Sequence, residues 1–530
     1  MSNVKQVTQG AEVDERLAAL ITNVNAVRAI ASAVEGTIGS KGLDTMLVDR
    51  FGDVVITNDG ITILTKMDVN HPAAKMVINT AKAQEEEVGD GTTTATIMAG
   101  ALLAEGLNQV IKGVPVIRVI EGVRFGVRTA VAAVREKARQ VAGVDDPLLR
   151  RVALVAGREH EDIADLVVEA ARLIGREKLG DPGFKLLDTV LAEQGADNEV
   201  FLGVIVDKER LNKQMPREVA DAKILIVDDA LEPEEVEDEA LATETGFTKL
   251  MEYREEFSRN LHKLVAMGVN VIMVDRGVED IAEEILTDAG VMVLSRVSSR
   301  ELRKAAEHTG AKLVKRTALR KEAAELVKYL GSADKVYEDE KLEHVRVIGG
   351  QGKPMATILV GAATREVVGE RERIAKDAAA AVQAAVKAGI VPGGGSIELA
   401  VMREVERAKS RLKGMSAYGV DCVIEALRKP FSQIVANAGF NPLEKIGDVL
   451  AAQIAQGSDS VSVDCDTGEL ADMWEMGVVD PALVKTHALW AAGEIGEAIL
   501  RIDTIIKMKD QSGEKGADPK ISEQFDKMDF

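Results

Sequence analysis

Four short apolar runs constrain this chain more than anything else in it: KILIVDD (223–229), NVIMVD (270–275), VMVLSR (291–296) and AKLVKR (311–316). Between the later ones lie VEDIAEEILTDAG and SRELRKAAEHTG, helical patterns of the length a βαβ crossover needs. Strands that alternate with helices in this way predict a central α/β domain. One interval is abnormal, because about forty residues separate KILIVDD from NVIMVD, where a crossover needs little more than ten or twelve. The first part of the excess, ALEPEEVEDEALATETGFTKLMEYREE, is acidic and then helical in pattern, with Phe247, Leu250, Met251 and Phe257 as its few large apolar groups. Residues 230–258 therefore read as a protrusion.

On either side of this domain the pattern is helical. Leu20, Val24, Val27, Ala31 and Val34 recur at spacings of four and three, the stripe of a helix facing a core, and Gly36 ends it. After TIGSKG come MLVD and DVVITNDGITIL, read as a small β element in which Asn58-Asp59-Gly60 supplies a tight hairpin-type turn. From Pro72 to about Ala142 the helical pattern resumes, broken at VGDGTTT and at Gly113-Val114-Pro115. Beyond Ala362 it returns as REVVGERERIAKDAAAAVQAAVKAG and, after IVPGGGS, as Ala-rich segments to about Met508; the polar tail from Asp510 reads as frayed. Aromatic residues are only 3% of the chain, so packing must rest on Ala, Val, Ile, Leu and Met, which suits large helical bundles. A length of 530 residues exceeds what one hydrophobic core supports. The expected fold class is a multidomain α+β protein.

Charge and cysteine usage exclude whole classes. The formal charge of −21 opposes wrapping around a phosphate backbone, so no nucleic-acid partner is expected. The start, MSNVKQVTQGAEVDER, lacks an apolar leader core, and no run reads as the roughly 20 apolar residues a bilayer crossing needs. The expectation is a cytoplasmic protein without a membrane partner. Cys422 and Cys465 are the only cysteines; Cys422, among apolar residues in DCVIEAL, reads as core packing. The six histidines carry no metal-ligand spacing.

The strongest local chemical signal is Val88-Gly89-Asp90-Gly91-Thr92-Thr93-Thr94, directly before the helical pattern ATIMAGALLAEGL. Glycines let backbone amides curl toward an anion, threonines offer hydroxyls, and a helix N-terminus favours negative charge. Asp90 inside such a cradle would repel phosphate unless a cation lay between them, which implies Mg²⁺. Asp and Thr before a helix are equally common as N-caps, so both readings stand at this level. Asp59 in its turn and Asp377 in ERIAKDAAAAVQ each have bland explanations, a self-bonding turn residue and an exposed helix face. The three glycines of GIVPGGGSIE (389–398) permit either close approach of a ligand or close packing.

Taken together, TIGSKG (37–42), TNDGITIL (57–64), GDGTTTATIMAG (89–100), IVPGGGSIE (390–398) and GVVDPALVK (477–485) occur in the order in which the chaperonin family carries them. The chain resembles that family from about residue 12 to 508. By the resemblance, Asp90 carries Mg²⁺, with K⁺ a further candidate, and Gly91, Thr92, Thr93 and Thr94 cradle the phosphates of ATP. Ile38 and Gly39 line the opposite wall, Gly394 approaches the adenosine and Asp480 binds the ribose hydroxyls. Asp59 and Asp377, from two domains, orient and activate the attacking water, and closure that completes the site couples hydrolysis to shape change.

The long insertion, with ILRIDTII (499–506) and VDKERLNKQMPREVADAKI (206–224), is similar to the group II chaperonins, which carry a built-in lid and need no separate lid protein. The implied division is an equatorial ATPase domain (1–142 and 389–530), an intermediate domain (143–205 and 359–388) and an apical domain (206–358) with its lid protrusion at about 230–258. The implied activity is an ATP-dependent folding chamber: stacked rings, eight subunits per ring, enclosing non-native proteins. Ser40 stands where the family usually has proline. Arg158, in VAGREHED, stands where group II proteins place a γ-phosphate-sensing lysine; the charge is kept but the guanidinium geometry differs, which suggests a divergent, bacterial branch. Two other classes compete, a small-molecule kinase or ATPase sharing only a phosphate loop, and a structural oligomer that has lost its nucleotide site.

Overall fold

The structure is a computed structural model that describes residues 16–234 and 244–506. The first fifteen residues, residues 507–530, which include the polar tail from Asp510, and residues 235–243 of the acidic insertion lie outside it. The chain divides into two compact units, residues 1–139 with 390–530, and residues 140–389.

The first unit opens with helix α1 (Arg16–Val34), a hairpin of β1 (Thr45–Val48) and β2 (Val54–Thr57), and helices α2 (Gly60–Lys66), α3 (Pro72–Val88), α4 (Thr92–Ile111) and α5 (Val116–Lys137). All five stripe residues of α1 are buried. The hairpin turns at Asp49–Asp53, where the Asp49 carboxylate accepts the amides of Phe51 and Asp53 at 2.8 and 2.9 Å. The expectation that Asn58-Asp59-Gly60 makes that turn is therefore wrong. Asp59 instead caps α2, accepting the amide of Thr62 at 3.0 Å and its hydroxyl at 2.6 Å, so ITIL is helix and not strand.

The second unit carries α6 (Pro147–Ala156), α7 (Glu161–Ile174), β3 (Val190–Gln194), β4 (Glu199–Val206), β5 (Glu218–Val227), α8 (Glu244–Ala266), β6 (Val271–Val274), α9 (Asp280–Asp288), β7 (Met292–Leu294), α10 (Ser299–Thr309), β8 (Gly331–Asp339), β9 (His344–Gly350), β10 (Ala356–Ala362) and α11 (Arg365–Ala388). Its eight-stranded sheet runs β3-β10-β4-β9-β8-β5-β6-β7. Three of the four strands expected from the sequence, β5, β6 and β7, are parallel neighbours. AKLVKR is not a fourth strand: Val314 alone bridges Val227, and the chain turns at once into the 3₁₀ segment Arg316–Arg320. Antiparallel β4, β8 and β9 extend the sheet instead. Helix α8 is both insertion and crossover. Phe247 and Met251 are exposed near its start, whereas Phe257, Leu261 and Leu264 are buried in the core under the sheet.

The chain returns to the first unit through β11 (Ile390–Pro392), α12 (Ser396–Lys409), α13 (Ser416–Asn437), α14 (Pro442–Gln456), β12 (Val461–Val463), β13 (Leu470–Asp472), β14 (Val479–Pro481) and α15 (Ala482–Leu500). Helix α13 packs on both α4 and α5, and α15 on the same pair. A Cβ on Gly122 of α5 would sit 2.6 Å from the Gly419 Cα of α13, so these helices meet backbone to backbone, as a core poor in aromatic residues permits. Cys422 lies fully buried here, its thiol pushed well above its ordinary range by burial, with neighbouring carboxylates adding to the shift. Residues Leu17–Thr37 are long and apolar enough to cross a membrane by length and composition, contrary to the sequence expectation. Leu20, Val24, Val27, Ile30, Ala31 and Val34 of this segment are buried in the bundle, whereas Leu17 and Ile21 are exposed.

Candidate nucleotide site

Helix α4 begins at the glycine-threonine motif. Gly89 (φ 73°) and Gly91 (φ 80°) both hold left-handed backbone, a conformation L side chains rarely adopt, and they flank Asp90. The Asp90 carboxylate accepts the amide of Gly91 at 2.5 Å, and its carbonyl accepts from Gln84 Nε2 at 2.8 Å. The first amides of a helix have no intrahelical partner, and the N-cap here, Gly91, has no side chain to satisfy them. The backbone at Thr92, Thr93 and Thr94 is thus shaped for an anion.

Two further segments meet this loop. A Cβ on Gly60, the first residue of α2, would collide with Thr93 Oγ1 and lie 3.2 Å from Thr92 Oγ1, so the α2 N-terminus, capped by Asp59, stands against the threonines. A Cβ on Gly91 would lie 2.6 Å from Val484 Cγ1 in the first turn of α15. Gln84 secures that junction, with its Nε2 3.5 Å from the Val484 carbonyl and its Oε1 2.5 Å from His487 Nδ1. Four residues before Val484 comes Asp480, on β14 and opposite Val391 of β11.

From β11 the chain enters Gly393–Gly395. Gly394 (φ 60°) and Gly395 (φ 76°) again hold left-handed backbone before a helix, α12, whose glycine N-cap offers no side chain. A Cβ on Gly393 would be 3.0 Å from Asp480 Oδ2, and one on Gly395 would be 2.7 Å from Phe431 of α13. Ile38 and Gly39 are held by the same helix α13: Asn437 Nδ2 donates to the Ile38 carbonyl at 2.9 Å, and Gly39 (φ 88°) lies against Ile434. The structure therefore brings Ile38, Gly39, Asp59, Asp90–Thr94, Gly394 and Asp480 onto one connected set of elements in the first unit.

Sequence reading missed Lys485. Its ammonium lies 2.8 Å from Asp480 Oδ2 and 2.8 Å from Glu398 Oε1, with side-chain exposures of 12%, 23% and 3% for the three residues. Burial disfavours its charge, but Asp480 and Glu398 outweigh burial and hold the ammonium above its ordinary range. Glu398 and Gln84 were missed as well, because a charged or amide residue in a helical pattern reads as solvated.

In the second unit, Arg158 (φ 52°) and Glu159 (φ 64°) turn the chain between α6 and α7 in left-handed conformations that cost about 1–3 kcal/mol each. The turn aims the Arg158 guanidinium at one face of α11: Nη1 donates to Glu370 Oε1 at 2.7 Å, and Nη2 is 3.9 Å from Asp377 Oδ2. Glu370 and Asp377 are two helical turns apart, hence on the same face. The two candidates from this unit thus meet each other, and Asp377 is 17% exposed, not a freely solvated helix residue.

Among the described residues no group of three His, Cys, Asp or Glu is arranged to hold a metal. Mg²⁺ is commonly held by one or two carboxylates together with nucleotide phosphates. Asp90, rising between two left-handed glycines beside uncapped amides, fits such a role.

A model of the TCP-1/cpn60 chaperonin family matches residues 30–510. The chain belongs to that family. This chaperonin is 38% identical over 514 residues to the thermosome subunit beta of Archaeoglobus fulgidus, with 93% of each chain covered. It is 36% identical over 518 residues to the thermosome subunit of Pyrococcus abyssi, covering 93% of this chain and 92% of that one. A solved structure described as a group III chaperonin in the open state superposes with a TM-score of 0.85 at 47% identity, covering 93% of this chain and 99% of the other. As a chaperonin it is an ATPase, an ATP-dependent molecular chaperone that assembles into double-ring chambers and acts on client proteins. Family membership across the chain removes the reading as a small-molecule kinase that shares only a phosphate loop.

Proposed function

We propose that Gly91, Thr92, Thr93 and Thr94 bind the phosphates of ATP, that Asp90 holds Mg²⁺ against them, and that Gly394 and Asp480 take the adenosine, with Ile38 and Gly39 as the facing wall. The observation that carries this reading is that two helix starts, α4 and α12, are each led by left-handed glycines and lack a side-chain cap, and that α15 and β14 link them, Val484 lying against Gly91 and Asp480 against Gly393. Bound Mg²⁺ would neutralise phosphate charge, with K⁺ a second cation of the same site. Asp59, fixed as an N-cap beside Thr92 and Thr93, orients the attacking water. Asp377 takes its proton, and Arg158 reports the γ-phosphate. Phosphoryl transfer asks chiefly for positioning and charge neutralisation, which these groups supply.

We further propose that residues 143–205 and 359–388 form an intermediate domain and 206–358 an apical domain, that eight subunits make a ring in the cytoplasm, and that the insertion near 230–258 serves as the lid without a separate lid protein. Ring assembly is supported by the β1–β2 hairpin, where Met46, Val48, Phe51, Val54 and Ile56 are all more than half exposed. Such a surface is costly unless another copy covers it. The lid reading is supported by α8, exposed at Phe247 and Met251 but rooted in the core from Phe257 onward. Its root is braced by Arg316–Glu232 and by Arg320 with Glu234 and Glu256.

Replacing residues 236–252 by a short Gly/Ser linker spares these braces and Phe257. ATP turnover is expected to stay within about twofold of the native rate, since no proposed nucleotide contact is touched, while a captured protein loses protection from added protease. A linker variant that still shields its captive shows that the insertion is not the lid.

A further inference from the structure

We infer that Lys485 is a positioning residue for the nucleotide, locking Asp480 in the orientation that reads the ribose. This rests on the proposal that Asp480 accepts the ribose hydroxyls. Lys485 bridges two carboxylates from different segments, Asp480 on β14 and Glu398 in the first turn of α12, at 2.8 Å each. The ammonium thus ties the start of α15 to the helix start that follows Gly394 and Gly395, fixing the spacing between the two groups assigned to adenosine.

The pairing engages Oδ2 of Asp480, which leaves Oδ1 as acceptor for a hydroxyl. Gly393 closes on that same Oδ2, where a Cβ would stand 3.0 Å away, so the carboxylate is gripped from two sides. Glu398 is almost fully buried and has no other cation within salt-bridge distance among the described residues. Without Lys485, two carboxylates would face each other across the vacated position with no counter-charge. One would take a proton or Asp480 would swing away, and either change spoils a hydroxyl acceptor.

A purely structural lysine would affect stability and not the choice of sugar, so the test compares ATP with 2′-deoxy-ATP by equilibrium binding and by steady-state kinetics. The native chaperonin is expected to prefer ATP about tenfold, the worth of one hydrogen bond to a charged group. K485M is expected to raise KM for ATP about tenfold, to change kcat less than about twofold, and to bring the preference close to one. K485M/E398Q removes the uncompensated buried charge; it is expected to recover thermal stability while the preference stays lost. K485R keeps the charge and is least prone to unfolding, and its wider fork is expected to reduce the preference about threefold. An unchanged ribose preference in any of the three overturns the inference. D480N separates the two levels. Preference lost in D480N but kept in the Lys485 variants sinks the role of Lys485 alone, and preference kept in D480N sinks the ribose reading beneath it.

Discussion

Replacing Asp377 by alanine should cut steady-state ATP hydrolysis by about 10²- to 10⁴-fold, the range spanned by positioned general bases, while ATP still binds. The carboxylate sits mid-way along α11 with its side chain 17% exposed and 3.9 Å from Arg158 Nη2. Every proposed binding residue other than Arg158 lies in the other unit, so affinity should hold within a few-fold. Arg158 keeps its 2.7 Å bond to Glu370. Thermal unfolding of the variant, measured alongside, separates loss of fold from loss of chemistry. Phosphate release and equilibrium ATP binding, measured on the same preparation, separate the two effects. Undiminished turnover refutes the assignment, and lost binding makes Asp377 a nucleotide contact instead.

Asp90→Asn is the second large effect. The amide keeps an oxygen that can accept the Gly91 N–H, the bond now 2.5 Å long, so the loop keeps its shape while the charge disappears. Losing the carboxylate that faces the cation should weaken ATP binding in Mg²⁺ by about 100-fold, equivalent to about 3 kcal/mol of charge-assisted interaction. Chelating Mg²⁺ should then have little further effect on the variant, although it weakens the native protein strongly. Calorimetric titration with and without a chelator reads both numbers. A variant whose binding still falls sharply on chelation places the metal on another carboxylate.

Motifs built from glycine and from helix caps were legible in the sequence because their geometry is local. Gly89, Gly91, Gly394 and Gly395 all hold the left-handed backbone that glycine signals, and the α1 stripe is buried as its spacing requires. Asn58-Asp59-Gly60 misled because the same residues serve a hairpin turn and a helix N-cap. The close approach of Gly60 to Thr93, a tertiary contact, explains the glycine without any turn. The antiparallel half of the large sheet was hidden for a related reason: β8 alternates buried and exposed residues with few aliphatics, and its place is fixed by pairing with β5 and β9. Lys485 was invisible because its partners come from Glu398 and Asp480, brought together only by the β11–β14 pairing.

Nucleotide seating at the two glycine-led helix starts is read directly by backbone amide hydrogen exchange. With Mg²⁺ and a non-hydrolysable ATP analogue, peptides covering residues 89–97 and 391–400 should both exchange more slowly, and removal of Mg²⁺ should reverse most of the slowing at 89–97. Exchange in both segments that ignores saturating analogue and Mg²⁺ would contradict it.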